Sequence, residues 1–211
     1  MPTAESRGSL RSFLGVPLKP QTYRTLIYNI LAFPLGLAYF VVLTVGVSLT
    51  VGLGVTLAGP LVFVATVLSV VTLAWADGRL TGSLLDADIS PEYPDTDELQ
   101  PFLKRLFLGR LTWAGAVYLV VRFVLGLVAF TALVFGFSLT VGLLTTPFGY
   151  GEYTMIRYGT GTIAIDTFGR SLVAAFVGLL VGFVTLHVSN LLGGVHVAAG
   201  RVLLDPQDNT E

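Results

Sequence analysis

Polar residues of this chain gather in a few clusters, and the stretches between them are almost wholly apolar. No Asp, Glu, Lys or Arg occurs from Thr25 to Ala76, a run of 52 residues. From Leu111 to Gly151 the only charge is Arg122, and Ser171 to Gly200 carries none. A helix rises ~1.5 Å per residue, so a bilayer core of about 30 Å takes roughly 20 apolar residues. The pattern therefore predicts four helical spans. The first runs from Tyr23 to about Leu57, crosses over residues 25–50, and has Pro34 as the place for a kink. Pro60 opens the second, which returns through Trp75 to an interfacial end just before Asp77 and Arg79. Trp113 to Leu144 makes the third span and Ser171 to His196 the fourth, with a polar tail from Val197.

The segments between spans have characters of their own. Residues 10–22 mix Leu and Phe with Arg11 and Lys19, and Pro17 and Pro20 limit them to a short interfacial segment. Residues 89–110 hold an acidic loop, then Asp95 and Glu98 at capping-box spacing and Pro101 in a first turn. The helix predicted there shows Phe102, Leu103, Leu106 and Phe107 on one side. Residues 145–170 form the one sizeable outer loop. The resulting division is 1–22, a first hairpin 23–88, the loop and amphipathic helix 89–110, a second hairpin 111–204, and a tail 205–211.

The two hairpins are written in the same residues. Leu35 to Leu53 returns, shifted by 90 positions, as Leu125 to Leu143, with twelve of nineteen positions identical and SLTVGL unbroken. Tyr28 and Phe33 recur as Tyr118 and Phe123. The hairpin ends also echo, WADGRLTGSLLD at 75–86 against HVAAGRVLLD at 196–205. Basic residues set the orientation: nine fall on one side, among them Arg24, Arg79, Arg110 and Arg201, and only Arg157 and Arg170 on the other. Both termini are then cytoplasmic, and each copy crosses twice, which makes the copies parallel about an axis along the membrane normal. The expected fold class is an all-α integral membrane protein of the cell membrane: four transmembrane helices as two parallel-topology hairpin repeats, plus short interfacial helices, with the lipid bilayer as first partner.

Composition narrows the chemistry. The chain is 54% hydrophobic and 12% charged, where soluble domains carry about 25% charged residues. It has no cysteine, which removes disulfides, thiolate nucleophiles and thiolate metal sites. A net charge of −1 gives no electrostatic case for nucleic acid. Ten Arg against two Lys, with Asp-rich loops, resembles haloarchaeal usage.

No catalytic constellation stands out, and no metal or cofactor is expected. Gly46-Val-Ser48 and Gly136-Phe-Ser138 lack the second glycine of a nucleophile elbow and read as packing chemistry. Gly36, Gly126 and the Gly178/Gly182 pair read the same way, and by analogy the Gly178 face is where a homodimer would form. The intramembrane polar residues are Arg122, His187 and Asn190. Arg122 takes the place of Ala32, and either snorkels to the headgroups or turns inward to a polar partner. His187, near Ser189 and Asn190, reads as an interhelical hydrogen bonder. The predicted spans hold no acid, which counts against proton-coupled transport. In the outer loop Glu152, Tyr153, Arg157, Tyr158, Asp166 and Arg170 make either a polar ligand pocket or a plain covering.

The order of these features resembles a known family. Tyr23-Arg24 and Tyr28 lead into PLGLAYF at 34–40, a glycine-rich turn precedes Gly59-Pro60-Leu61, and the hairpin ends in Arg79 with Gly82 to Leu85. The second half has a Pro147 exit, Ile165-Asp166-Thr167 and an end at Leu203-Leu204. Together these residues, about 10–205, resemble the putative sensor domain family, membrane input modules at the N-terminus of many prokaryotic histidine kinases. The resemblance implies a sensory module without enzymatic activity, here lacking a kinase output of its own, so that a cytoplasmic histidine kinase or regulator is the implied partner. A small transporter or pore at the repeat interface is the main alternative, and a structural membrane protein without ligand the third. Departures from the repeat, Val124 opposite Pro34 and Arg122 opposite Ala32, are where function is expected.

Overall fold

The computed structural model describes residues 15–89, 109–150, 155–158 and 161–204. Four long helices dominate: α1 Pro20–Gly52, α2 Ala58–Leu85, α3 Arg110–Leu144 and α4 Phe168–Leu204. All four are long and apolar enough to cross a membrane. Their outward positions are apolar too: Val51, Leu61, Phe135, Leu179 and Leu191 are each at least 60% exposed. In water such surfaces would aggregate, whereas in a bilayer they match the surrounding chains. The protein is a membrane protein.

Two helices outrun their expected ends. α2 continues past Trp75 to Leu85, where Asp86 closes it in the left-handed conformation at φ 53 and Ala87 N–H bonds back to Gly82 O at 3.0 Å. α4 continues past His196 to Leu204. Both extensions carry polar groups into helix that the hydropathy pattern assigned to the membrane surface. Pro34 lies inside α1. Of residues 10–22, those described form a 3-10 turn at Val16–Leu18 and, from Pro20, the start of α1, with Thr22 Oγ1 donating to Val16 O at 2.8 Å. The amphipathic helix expected after Asp95 lies outside the described residues.

The chain divides into two compact units. One comprises Met1–Thr22 with Thr131–Ser189, the other Tyr23–Phe130 with Asn190–Glu211. In the first unit the glycines seat threonines: a side chain on Gly136 would run into Thr185, and one on Gly182 would meet Thr140 Cγ2 at 2.9 Å. Both threonine hydroxyls bond back to their own helices, Thr185 to Val181 O at 2.8 Å and Thr140 to Gly136 O at 2.7 Å, which turns them into compact packing groups. A Cβ on Gly178 would meet Leu143 Cβ at 2.8 Å. Within this unit the Gly178/Gly182 face packs against α3 of the same chain. The expectation of an all-helical chain is also refined here. Met155–Tyr158 (β1) and Gly161–Ala164 (β2) pair as an antiparallel hairpin with Met155 opposite Ala164.

In the second unit the contacts come in reciprocal pairs. A Cβ on Gly36 would lie 3.1 Å from Arg122 O, and one on Gly126 would lie 2.5 Å from Ala32 O. Phe33 stacks on Phe130 at 4.9 Å and Phe40 on Phe123 at 4.6 Å. Shifting each α1 member by 90 and each α3 member back by 90 turns either contact into its counterpart. Glycine at 36 and 126 is what lets the two backbones approach this closely. Partner numbers run in opposite senses here, Ala32 with Gly126 and Gly36 with Phe123, so α1 and α3 make a crossing instead of an in-register seam.

Candidate functional site

Tyr28 sits two turns into α1, Asp77 and Thr81 toward the C-terminal end of α2, Tyr118 and Arg122 near the start of α3, and His196 near the end of α4. All six are between 0 and 2% exposed. Asp77 Oδ2 accepts from Tyr118 Oη at 2.6 Å and from Arg122 Nε at 2.8 Å. Arg122 Nη1 lies 3.2 Å from His196 Nδ1. The Arg122 guanidinium also stands over the Tyr28 ring at 4.6 Å, and the Tyr28 and His196 rings meet edge-on at 5.3 Å. Tyr28 and Thr81 share a hydroxyl–hydroxyl bond of 2.9 Å. Tyr39, itself buried, interacts with the Asp77 carboxylate as well.

The donor count fixes the histidine. Arginine has only N–H donors, so Nδ1 of His196 must be the acceptor, which leaves a neutral ring with its proton on Nε2. The cluster then holds one anion and one cation, as an ion pair in an apolar setting requires. Asp77 Oδ1, Arg122 Nη2 and His196 Nε2 are buried and make no hydrogen bond of good geometry with the described residues. No group of three or more His, Asp or Glu among the described residues could hold a metal ion. What the arrangement does is mechanical and electrostatic: it ties four helices through one arginine.

Of the residues singled out from sequence, Arg122 enters this cluster and does not snorkel. It is 1% exposed, and the apolar helix around it leaves an ion pair as its way of staying charged. The expectation that the spans hold no acid fails at Asp77. The partner that neutralises it lies 45 residues away in sequence, beyond the reach of any hydropathy window. His187 lies elsewhere, half-buried with the Phe183 ring 4.7 Å away in the first unit, and Asn190 is half-buried in the second. Of the outer-loop set, Asp166 and Arg170 form an exposed ion pair at 2.7 Å. Arg157 and Tyr158 belong to β1, while Glu152 and Tyr153 lie outside the described residues.

The sequence alone places Asp77 and His196 only at the ends of spans two and four, and marks Tyr28 and Tyr118 as repeat matches, Tyr28 also within the family pattern. One signal was available: apolar residues continue at helical spacing through Leu73, Ala76, Leu80, Leu84 and Leu85, which carries the helix straight past Asp77.

In comparisons with known proteins, the family model described as "Putative sensor" matches residues 28–204, from Tyr28 of the cluster through its last member, His196, to the end of α4. No curated protein and no solved structure matches the chain.

Proposed function

The chain belongs to the Putative sensor family, and on that premise we propose that it is a multi-pass sensory module of the cell membrane that passes a signal to a cytoplasmic partner. The observation that carries this reading is the cluster on Arg122. Because Tyr28, Asp77, Tyr118, Arg122 and His196 belong to four different helices, a shift of any one helix changes hydrogen bonds on the others. Helix displacements of about 1–2 Å are a common currency of such signalling. The excess of basic residues at the helix ends holding Arg24, Arg79 and Arg201 supports cytoplasmic termini, and puts those ends of α2 and α4 where a histidine kinase or regulator would read them. The reciprocal α1–α3 contacts support two copies of one hairpin as the architecture. The reading is non-enzymatic.

Asp77 favours a second reading, a small transporter, since it supplies the buried acid that proton coupling uses. Against it, the carboxylate is already engaged by Arg122 and Tyr118. Isolation of the chain from native membranes tests the choice. A sensor brings a cytoplasmic signalling protein with it, whereas a transporter purifies without one and moves a substrate in liposomes.

A further inference from the structure

The second unit contains more symmetry than the α1–α3 crossing. A Cβ on Gly193 of α4 would sit 3.7 Å from Thr25 Cβ of α1, and a Cβ on Gly115 of α3 would sit 3.1 Å from Ala74 Cβ of α2. Thr25 and Gly115 are 90 positions apart, the spacing of the sequence repeat, and Ala74 and Gly193 are 119 apart. The same two spacings convert the Tyr118–Asp77 contact into the Tyr28–His196 contact. They also superpose Leu84-Leu85-Asp86 on Leu203-Leu204-Asp205 in the sequence. Asp77 and His196 are therefore one position occupied by two chemistries. Arg122 has no such double, because its counterpart Ala32 has no polar atom beyond Cα.

From this we infer that Arg122 is a positioning residue that bridges two equivalent places, and that its His196 arm is the breakable one, so that a stimulus releases α4 while α2 and α3 stay joined. The inference rests on the sensory reading for its purpose, but its geometry stands apart from any partner. On the Asp77 side the guanidinium meets a carboxylate at 2.8 Å, and the same oxygen also holds Tyr118 at 2.6 Å. Charge-assisted bonds of this kind are roughly twice as strong as neutral ones. On the His196 side a single bond of 3.2 Å reaches a neutral ring. Separating Asp77 from Arg122 strands two charges in an apolar interior, and separating His196 from Arg122 strands none. The weaker joint is the one that opens.

The chain has no native cysteine, so two engineered pairs can report the two joints in the full-length protein in lipid nanodiscs. Cysteines at Thr25 and Gly193 report α1–α4, their Cβ separation falling within the ~3.5–4.5 Å of disulfides. Cysteines at Ala74 and Gly115, whose Cβ atoms at 3.1 Å reach that range once the helices part by a few tenths of an ångström, report α2–α3. With native His196 both pairs oxidise readily. His196→Ala slows the 25/193 pair at least several-fold and leaves the 74/115 pair unchanged. His196→Gln, whose amide oxygen still accepts from Arg122, keeps the native rate, and the exchange D77H/H196D, which moves the carboxylate to α4, moves the slower oxidation from the 25/193 pair to the 74/115 pair. Equal slowing of both pairs in His196→Ala, or no slowing of either, overturns the inference, as does an exchange that leaves the 25/193 pair the slower one. A failure to find any cytoplasmic partner would instead count against the sensory reading and leave these rates as they are.

Discussion

Arg122 Nε stands 2.8 Å from Asp77 Oδ2, with both side chains shut away from solvent. The pair joins α3 to α2, and its energetics are asymmetric. Removing one partner leaves a charge uncompensated, a loss of about 3–5 kcal/mol, while replacing both by apolar groups of similar size is often neutral. Arg122→Ala and Asp77→Ala are each expected to lower stability by about that amount. The double variant D77L/R122M is expected to lose less than either, and circular-dichroism melts in one detergent compare the three.

The two repeated tyrosines make a matched pair for a second prediction. Tyr118 donates to a carboxylate and Tyr28 bonds to the Thr81 hydroxyl. Hydrogen bonds to charged groups contribute about 1.5–3 kcal/mol and neutral ones about 0.5–1.5 kcal/mol. Tyr118→Phe is therefore expected to destabilise more than Tyr28→Phe. Equal losses in the same melts would remove the distinction drawn between the two sides of the cluster.

The glycines give a third. A Cβ on Gly36 would stand 2.8 Å from Phe123 Cα, and backbone cannot give way as a side chain can. Gly36→Val is expected to cost about 1–3 kcal/mol through overpacking. Gly142, in the same sort of apolar helix, has nothing within 4 Å of an added Cβ. Gly142→Ala is expected to be neutral or to gain up to ~1 kcal/mol, since alanine is the better helix former.

Orientation is tested by single cysteines against a cysteine-free background. Thr3→Cys and Asn209→Cys are expected to resist a membrane-impermeant maleimide in right-side-out vesicles, and Tyr150→Cys to react. Labelling of either terminus from outside would reverse the orientation argued from the basic residues.

Much of this fold is legible in the sequence, and the cluster is not, for one physical reason. Span number follows from charge-free stretches that the bilayer requires, and the glycine contacts follow from small residues recurring at 36 and 126. Both are local properties. Asp77 and Arg122 neutralise each other only because α2 and α3 pack together, and each alone looks like a residue bound for the membrane surface. His196 was equally hidden, since an isolated histidine at an apparent helix end suggests nothing until Arg122 is placed beside it. The short β-hairpin at 155–164 escaped notice because glycine and threonine there read as loop.

The central claim is that the Arg122 cluster carries a signal to a protein on the cytoplasmic side. Its most direct measurement is the amount of cytoplasmic signalling protein recovered with the chain from native membranes, compared between the native protein and Arg122→Gln at equal membrane abundance. The account predicts recovery with the native chain and at least a several-fold change with Arg122→Gln. Equal recovery with both, or none with either, would contradict it.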